Sequence, residues 1–226
     1  MKAILLTGGE GLRMRPLTEN KPKPLLEING RPLISHIAEK MPDKVTEFVI
    51  IVGYLGEQVR KYCGREFFGR PVTYTEQREM KGTFHALETC RNLLKRDETF
   101  MIFYGDDLID KKTAKELSNE NLAVAVSLSE HPERFGVVEK NADNTVKRIV
   151  EKPDKFISDL VLSNGLTLNG KIFDYKPEPK NGGQYYLSEA ISKMVLDGYK
   201  FKIIEASFWI PLATPEDLKN VEKMIA

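Results

Sequence analysis

The first 26 residues constrain the fold more than any other part of the chain. The apolar run KAILLT at 2–7 predicts a buried β-strand, and the glycine-rich loop GGEG at 8–11 follows it directly. Glycines let a backbone pass close to a ligand with its N–H groups turned toward that ligand. The next segment carries four cations: Arg13, Arg15, Lys21 and Lys23. This order of strand, glycine loop and cations predicts a site for a ligand with several negative charges, such as a nucleoside triphosphate.

Two common phosphate-binding loops do not fit this segment. The Walker loop needs Gly-Lys followed by Ser or Thr, so that a hydroxyl can hold magnesium, whereas Gly11 is followed by Leu12 and Arg13. The dinucleotide-binding loop needs a helix that begins directly after the glycines. Three prolines prevent a helix over most of the following segment: Pro16, Pro22 and Pro24. The sequence therefore argues against a nicotinamide-dinucleotide site and predicts an irregular basic loop.

Composition indicates one domain that acts on small molecules. The chain has 226 residues and a formal net charge of +1, so neither nucleic acid nor a membrane surface is an expected partner. The apolar start is too short for a signal peptide or a membrane span, and the expected location is cytoplasmic. Cys63 and Cys90 lack metal-binding spacing and are expected to be reduced structural thiols. A homo-oligomer is compatible with this sequence.

Strand-like and helix-like segments alternate along the first half of the chain. Strands are predicted at 48–52, 72–77 and 100–104, and helices at 32–41, 56–67 and 83–94. Such βαβ units predict a mostly parallel sheet with helices on both faces, whose ligands bind beyond the carboxyl ends of the strands. Further strands are predicted, closely spaced, at 124–128, 136–139 and 146–150. The run 176–183, rich in proline and glycine, predicts a mobile loop.

The segments GGEGLRMRPLT at 8–18 and PKPLL at 22–26 resemble the signature loop of the sugar-phosphate nucleotidyltransferases. These NDP-sugar pyrophosphorylases join a nucleoside triphosphate to a sugar 1-phosphate. Further landmarks follow in the family's order over nearly the whole chain: Gln77, Gly82-Thr83, Gly105-Asp106, FGVV at 135–138, EKP at 151–153 and Trp209. The resemblance implies a three-layer, Rossmann-like α/β fold with a smaller antiparallel sugar-binding region. It also implies a single domain over 1–226, with a nucleotide-binding half at 1–110 and a sugar-phosphate-binding half at 111–226.

The nucleotide side of the expected site combines backbone and side-chain contacts. The resemblance assigns nucleotide binding to eight residues: Leu6, Thr7, Gly8, Gly9, Gly11, Gln77, Gly82 and Thr83. Catalytic roles fall to Arg13 and Lys23, because cations aimed at a departing pyrophosphate lower the barrier electrostatically. The Gln77 amide offers both a donor and an acceptor, which suits the edge of uracil or thymine, so UTP or dTTP is the expected nucleotide. His85, early in a helix, is expected to be structural.

The metal and sugar side of the expected site lies later in the chain. Asp106 follows an apolar strand and is the expected Mg²⁺ ligand, since magnesium prefers few carboxylates together with substrate phosphates. Asp107 is expected to point away from Asp106 if that strand continues. The resemblance assigns sugar-phosphate binding to Gly136, Glu151, Lys152 and Asn164. Lys152 is also expected to be catalytic, by neutralising the phosphate that attacks.

Two positions depart from the family pattern. The family's Asn-x-Gly-Ile/Leu-Tyr segment aligns with SNGLT at 163–167, so Ser163 takes the place of the asparagine and Asn164 is expected to substitute for it. The family's second metal-binding aspartate, in Trp-x-Asp-x-Gly-Thr-Pro, corresponds to Pro211, which cannot bind a cation. Glu205 and Asp107 are the nearby acids, and spacing does not decide whether either replaces it.

The expected reaction is therefore attack of a sugar 1-phosphate on a nucleoside triphosphate, which gives an NDP-sugar and pyrophosphate. The alternative is a non-catalytic, nucleotide- or nucleotide-sugar-binding regulatory homologue. Pro211 favours this alternative, whereas the intact set of Arg13, Lys23, Asp106 and Lys152 favours the enzyme.

Overall fold

The computed structural model describes residues 1–180 and 182–224; Asn181, within the loop predicted at 176–183, lies outside the described residues. The strands are β1 Lys2–Leu6, β2 Glu27–Ile28, β3 Arg31–Pro32, β4 Glu47–Val52, β5 Glu66–Phe67, β6 Arg70–Glu76, β7 Thr99–Tyr104, β8 Asp107–Ile109, β9 Ala123–Leu128, β10 Gly136–Lys140, β11 Val146–Glu151, β12 Leu160–Asn169, β13 Lys202–Glu205 and β14 Trp209–Pro211. The helices are α1 Leu33–Glu39, α2 Gly56–Cys63, α3 Thr83–Glu88, α4 Lys111–Leu117, α5 Leu187–Leu196 and α6 Pro215–Met224.

The main sheet is built outward from β1. This strand pairs in parallel with β4 on one edge and with β7 on the other, and β6 continues the parallel part beyond β4. Strand β12 runs antiparallel to β7 and pairs along its length with β9 and, near its start, with β10. Strands β13 and β11 then pair with β9 and β10. The predicted mostly parallel sheet, with an antiparallel region in the second half of the chain, is confirmed.

Helices cover both faces of this sheet. Side chains alternate across β1, so that Ile4 packs on one face with residues of α3 and α5, while Ala3 and Leu5 pack on the other face with residues of α1, α2 and α4. The two apolar clusters are fully or almost fully buried, and they form the core on either side of the sheet. The three-layer architecture follows from this alternation, because each face of the sheet must be shielded from water.

The structure corrects the ends of two predicted helices. The helix predicted at 56–67 ends at Cys63, because Gly64 adopts a left-handed conformation and the chain then forms a hairpin. Phe68 and Gly69, both with positive φ, join β5 to β6 in that hairpin. The helix predicted at 83–94 ends at Glu88 and is followed by a short 3₁₀ turn. The strand β12 was not predicted, because its central polar residues resemble a loop in sequence.

The basic loop is fixed to the body by its own apolar residues. Met14 lies between two exposed arginines and is buried in a third apolar cluster with Leu26, Leu33, Leu108 and Leu212. Two 3₁₀ turns, Leu12–Met14 and Lys23–Leu25, shape the loop, and Thr18 Oγ1 donates a hydrogen bond to the Gly11 carbonyl. The loop is therefore irregular, as predicted, and its position is set by packing.

Cys63 and Cys90 are buried and form no disulfide bond, and burial raises the pKa of both thiols. Across the residues that the structure describes, none of the helices combines the length and the apolar character needed to cross a membrane.

Asn164 joins the turn after β7 to the neighbouring strand. Its side chain is completely buried in β12. Its amide oxygen accepts a hydrogen bond from the Tyr104 N–H at 2.7 Å, and its amide nitrogen donates to the carbonyls of Tyr104 and Asp107 at 3.0 and 2.6 Å. These bonds satisfy backbone groups that β7 and β8 leave unpaired where the chain turns. Asn164 therefore fixes the backbone on which Asp106 and Asp107 sit.

We expect Asn164→Ala to reduce the free energy of unfolding by roughly 3 kcal/mol, because it leaves buried backbone groups without partners. Urea unfolding followed by circular dichroism measures this loss. Asn119→Ala is the matched control, since the Asn119 amide is exposed and bonds only to Lys44; its effect should stay within about 0.5 kcal/mol. A similar, small effect for both variants would show that the three bonds do not hold the turn.

Candidate functional site

Two adjoining cavities open at the carboxyl ends of β1 and β7. The first, of about 440 Å³, is bordered by the glycine loop; its lining includes Leu6, Thr7, Gly9, Gly11, Arg13, Lys23, Met80 and Asp106. The second, of about 320 Å³, extends toward β10, β11 and β12; its lining includes Thr83, Asp107, Gly136, Glu151, Lys152, Ser163, Tyr186, Trp209 and Asp217. Arg13, Lys23 and Asp106 border both cavities, so the junction between the two carries two cations and a carboxylate.

An ion pair joins the basic loop to the end of β7. Lys23 Nζ lies 2.6 Å from Asp106 Oδ2, although 83 residues separate them in the chain. The Lys23 side chain is only 10% exposed, whereas that of Asp106 is 36% exposed. Lys23 is placed here because Pro22 and Pro24 hold the surrounding backbone in the 3₁₀ turn that begins at Lys23. The pair brings a cation and an anion to the point where the two cavities meet.

The structure corrects the expected orientation of Asp107. Strand β7 ends at Tyr104, and Asp107 begins the new strand β8, so the alternation of side chains does not continue through Asp106. Both carboxylates therefore line the second cavity. The Asp107 oxygens accept hydrogen bonds from Trp209 Nε1 and from the Leu212 N–H, each at 3.3 Å. Desolvation, together with the neighbouring charge of Asp106, raises the pKa of Asp107.

The predicted base-binding residues lie together beside the glycine loop. Gln77, at the end of β6, is 6% exposed, and its amide nitrogen donates to the Gly82 carbonyl at 3.1 Å. Gly8 packs against this amide and against Gly53, and the Tyr54 N–H donates to the Gly8 carbonyl. Gly82 has φ +93°, and a Cβ there would lie 2.5 Å from the Tyr185 carbonyl oxygen. The close approach at Gly82 is thus to Tyr185. Gly8, Gln77 and Gly82 are not among the lining residues of either cavity.

Gly136, Glu151 and Lys152 form one side of the second cavity. Gly136 pairs with Glu151 across β10 and β11, and a Cβ at Gly136 would lie 3.2 Å from Glu151 Oε2. Glu151 accepts a hydrogen bond from Ser188 Oγ at 2.6 Å, and burial raises its pKa overall. Lys152 has φ +45° and places its ammonium group over the ring of Tyr186. The structure therefore brings a carboxyl group and a cation to the same cavity.

Asn164 does not stand with these residues. All three of its hydrogen bonds go to backbone groups, and it is absent from the lining of both cavities. This corrects the expectation that Asn164 contacts the sugar phosphate. Ser163 lines the second cavity in its place. Ser163 is 2% exposed, and its hydroxyl oxygen has no hydrogen-bond partner among the described residues.

The two acids near Pro211 in sequence lie in different places. Glu205 is exposed, lies 3.8 Å from Lys140 and borders a separate surface cavity. Asp107 lies directly opposite Pro211 in the antiparallel pair of β8 and β14. Of these two acids, Asp107 shares a cavity with Asp106 and Glu205 does not.

Several residues that line the second cavity were not predicted from the sequence. Tyr186 and Ser188 precede or begin α5, which no motif indicated, and Asp217 lies in α6. Asp217 Oδ2 accepts hydrogen bonds from the N–H groups of Ala213 and Thr214 and so shapes the loop after Pro211. The pattern Thr-x-x-Asp at 214–217 is a helix-start signal that could have located this loop.

The donor set of the junction fits a hard divalent cation. Mg²⁺ takes oxygen ligands, often one or two carboxylates with substrate phosphates and water. Asp106 Oδ1 makes no hydrogen bond among the described residues, and Asp107 is next to it in the chain. The described residues contain no group of three or more His, Cys, Asp or Glu that could hold a metal. A cation here would complete its coordination with oxygen atoms from water or a bound substrate.

Comparisons with known proteins match the whole chain. The sequence model of the family named nucleotidyl transferase matches residues 2–226. The UTP–glucose-1-phosphate uridylyltransferase AglF of Haloferax volcanii is 33% identical, with 100% of this chain and 96% of that protein covered. The bifunctional protein GlmU of Methanococcus maripaludis is 34% identical over 96% of this chain, which spans only 53% of GlmU.

A solved structure supports the same relation. A protein assigned as a glucose-1-phosphate thymidylyltransferase from Bacillus anthracis, crystallised with sucrose, superposes with a TM-score of 0.87. It is 26% identical, and the match covers 99% of this chain and 94% of that one. The fold is therefore shared over nearly the full length of both chains.

The raised pKa of Glu151 makes stability depend on pH at this position. An unfolded glutamate has its ordinary pKa near 4.5, and the folded value is higher. The contribution of Glu151 to the free energy of unfolding is therefore fully present below pH 4.5, and it is lost as the pH rises through the pKa of the folded state. We expect Glu151→Gln, which keeps an acceptor for Ser188, to raise the melting temperature at pH 8 but hardly at pH 4.

Glu139→Gln serves as the control for this prediction. Glu139 lies on the adjacent strand β10, and hydrogen bonding from Arg148 lowers its pKa. Its replacement should bring no gain in melting temperature at pH 8. An equal gain for both variants, or a pH-independent gain for Glu151→Gln, would contradict burial as the cause.

Proposed function

Because the chain belongs to the nucleotidyl transferase family, we propose that it joins a nucleoside triphosphate to a sugar 1-phosphate. The observation that carries this proposal is the pair of adjoining cavities with Arg13, Lys23 and Asp106 at their junction. A reaction between two phosphorylated substrates needs two neighbouring binding spaces and positive charge where their phosphates meet. The glycine loop borders the space assigned to the triphosphate, and Glu151 and Lys152 border the space assigned to the sugar phosphate.

The proposed reaction is a displacement at the α-phosphorus of the triphosphate. A phosphate oxygen of the sugar 1-phosphate forms a new bond to that phosphorus, and the bond to the oxygen that bridges the α- and β-phosphates breaks. The electron pair of that bond leaves with pyrophosphate, and the NDP-sugar remains. Such reactions depend on positioning and on stabilisation of charge more than on covalent participation of the protein.

Each cation of the junction has a separate part in this proposal. Arg13 lines the first cavity on a loop that the buried side chain of Met14 holds in place. Its guanidinium can therefore contact the departing pyrophosphate through two N–H groups. Lys23 is paired with Asp106 in this structure and can contact the phosphates from the same position. Lys152 approaches from the opposite side, where it can neutralise the attacking phosphate. Loss of any one removes positive charge from the transition state.

Asp106 is the residue proposed to hold Mg²⁺. Its Oδ1 atom makes no hydrogen bond among the described residues, and its one-third exposed side chain leaves room for water and substrate ligands. When bound, Mg²⁺ would neutralise charge on the triphosphate and on the leaving pyrophosphate. Lys23 would then share Asp106 with the cation.

A second candidate function is supported by Pro211. A proline supplies no carboxylate at this position, so a non-catalytic protein that binds a nucleotide or an NDP-sugar remains the alternative. The two functions differ in product formation. Pyrophosphate release should be measured over all common nucleoside triphosphates and several sugar 1-phosphates at several Mg²⁺ concentrations. Binding of a triphosphate without pyrophosphate under every condition would favour the binding protein.

We expect Arg13→Ala to lower kcat by about 100-fold or more while the melting temperature is retained, because one preorganised donor to a developing charge is typically worth this much. Arg15→Ala is the matched control: Arg15 is equally exposed on the same loop but does not line either cavity. Steady-state pyrophosphate release measures both. An equal loss in the two variants would indicate a general effect of loop charge and remove Arg13 from the mechanism.

We also expect UTP or dTTP to be used in preference to ATP and GTP. The Gln77 amide is held in one orientation by Gly82, and it lies beside Gly8 at the position assigned to the base. Gln77→Ala should lower kcat/KM for the preferred nucleotide by about tenfold, the usual cost of one hydrogen bond to a buried group. Gln58→Ala, an exposed amide on α2, should leave it unchanged. Equal use of ATP or GTP by the unmodified protein would refute the assignment.

A further inference from the structure

We propose that Asp107 is a second carboxylate ligand of the divalent cation that Asp106 holds, supplied by β8 because the facing position on β14 is Pro211. This inference rests on the proposed function for the identity of the site, but it concerns metal binding and can be tested without turnover. It assigns a ligand to a carboxylate that forms no ion pair among the described residues.

The register of the two short strands β8 and β14 relates Asp107 to Pro211. Asp107 and Pro211 are direct partners in the antiparallel pair of β8 and β14. Side chains of directly opposed residues lie on the same face of a two-stranded sheet, about 5 Å apart at Cβ. A carboxylate on either strand therefore reaches the same part of the second cavity. A carboxylate on both strands would place like charges directly opposite each other, which is unfavourable without a cation between them.

The hydrogen bonds of Asp107 leave part of its carboxylate available to a ligand. Its two oxygens each accept one long hydrogen bond, from Trp209 and from Leu212, and each oxygen keeps a further lone pair. Lys23 forms its salt bridge with Asp106, and no Lys or Arg of the described residues forms one with Asp107. Arg13 and Lys152 line the same cavity, but among the described residues only Lys23 forms an ion pair with either of the two adjacent carboxylates. A bound cation would give Asp107 a direct ionic partner.

Ser163 supplies an independent polar group in the same cavity. Ser163 Oγ is buried without a hydrogen-bond partner among the described residues, and Ser163 lines the cavity with Asp106 and Asp107. A buried hydroxyl without a partner costs free energy, so its retention at this position indicates a polar ligand. Water bound to the cation, or a substrate oxygen bound to it, would provide that partner.

The other acids of the region are less suited to this role. Glu205 borders a different cavity. Asp217 uses one oxygen to accept two backbone hydrogen bonds. Glu151 is bonded to Ser188 on the far side of the second cavity. Asp107 directly follows Asp106 in the chain, whereas these three acids are far from Asp106 in sequence.

The experiment measures Mn²⁺ binding by electron paramagnetic resonance of the free ion, with and without a non-hydrolysable α,β-imido analogue of UTP. Asp107→Asn should raise the dissociation constant for Mn²⁺ at least tenfold, and Glu205→Gln should change it less than twofold. The double variant Asp107→Asn with Pro211→Asp moves the carboxylate to the facing strand and should recover most of the lost affinity. Circular dichroism and melting temperature verify that each variant is folded.

An affinity for Mn²⁺ within twofold of the unmodified protein in folded Asp107→Asn would overturn the proposal, and Asp107 would then serve only to hold Trp209 and the following loop. If Asp107→Asn does not fold, Asp107→Cys titrated with Cd²⁺ decides the matter. Cadmium prefers thiolate ligands, and the two native cysteines are buried, so the unmodified protein supplies the background. A new cadmium–thiolate absorption supports the proposal, and its absence overturns it. Neither result depends on pyrophosphate release, so a failure of the proposed activity would be seen separately.

Discussion

The site depends on the parallel pairing of β1 with a strand on each of its edges. Because all three strands run in the same direction and in register, their carboxyl ends meet at one edge of the sheet. The chain leaves β1 through the glycine loop and leaves β7 through the turn at Gly105, whose N–H donates to the Leu6 carbonyl. A Cβ at Gly105 would lie 2.7 Å from the Thr7 side chain, so the two exits are in contact. This contact brings the glycine loop and the turn that carries Asp106 to the same edge of the sheet.

Packing then decides which loop residues face the junction. Met14 and the apolar residues around it fix the basic loop against β8, β14 and α6, and this leaves Arg13 free to face the cavities. On the other side of the junction, Asn164 holds the turn that carries the two aspartates. The charged groups are thus mounted on backbone that buried side chains have already fixed. Such preorganisation is what an electrostatic mechanism needs, since charges that must reorganise during the reaction stabilise it less.

The interior of the second cavity carries polar groups that do not serve stability. Burial raises the pKa of Glu151, and the Ser163 hydroxyl lacks a partner among the described residues. Both conditions cost folding free energy in the absence of a ligand. They occur together with the raised pKa of Asp107 in the cavity that adjoins the glycine loop. Their concentration in one place is typical of a site that binds polar substrates.

Sequence patterns alone indicate the family, the alternating α/β architecture and the residues of the junction. Glycine, proline and cation positions in the first 26 residues are local signals, because each acts through its own backbone conformation or charge. The comparisons and the structure agree with the family and with the fold. Three strands of the antiparallel region, β9, β10 and β11, were also predicted from their apolar residues. Strand β12 was not predicted, since its buried polar residues carry no periodic signal.

Contacts between distant segments determine which of two neighbouring residues faces a cavity. Asn164 and Ser163 are adjacent in sequence, yet one is consumed by backbone hydrogen bonds and the other lines the cavity. Likewise, Asp107 and Glu205 are both acids near Pro211, but strand pairing places Asp107 opposite that proline and leaves Glu205 on the surface. Sequence spacing records distance along the chain, whereas these outcomes depend on strand register and on where one strand ends and another begins. Those are set by contacts between distant segments, such as Asn164 with Tyr104, 60 residues apart, and Asp107 with Trp209, 102 residues apart.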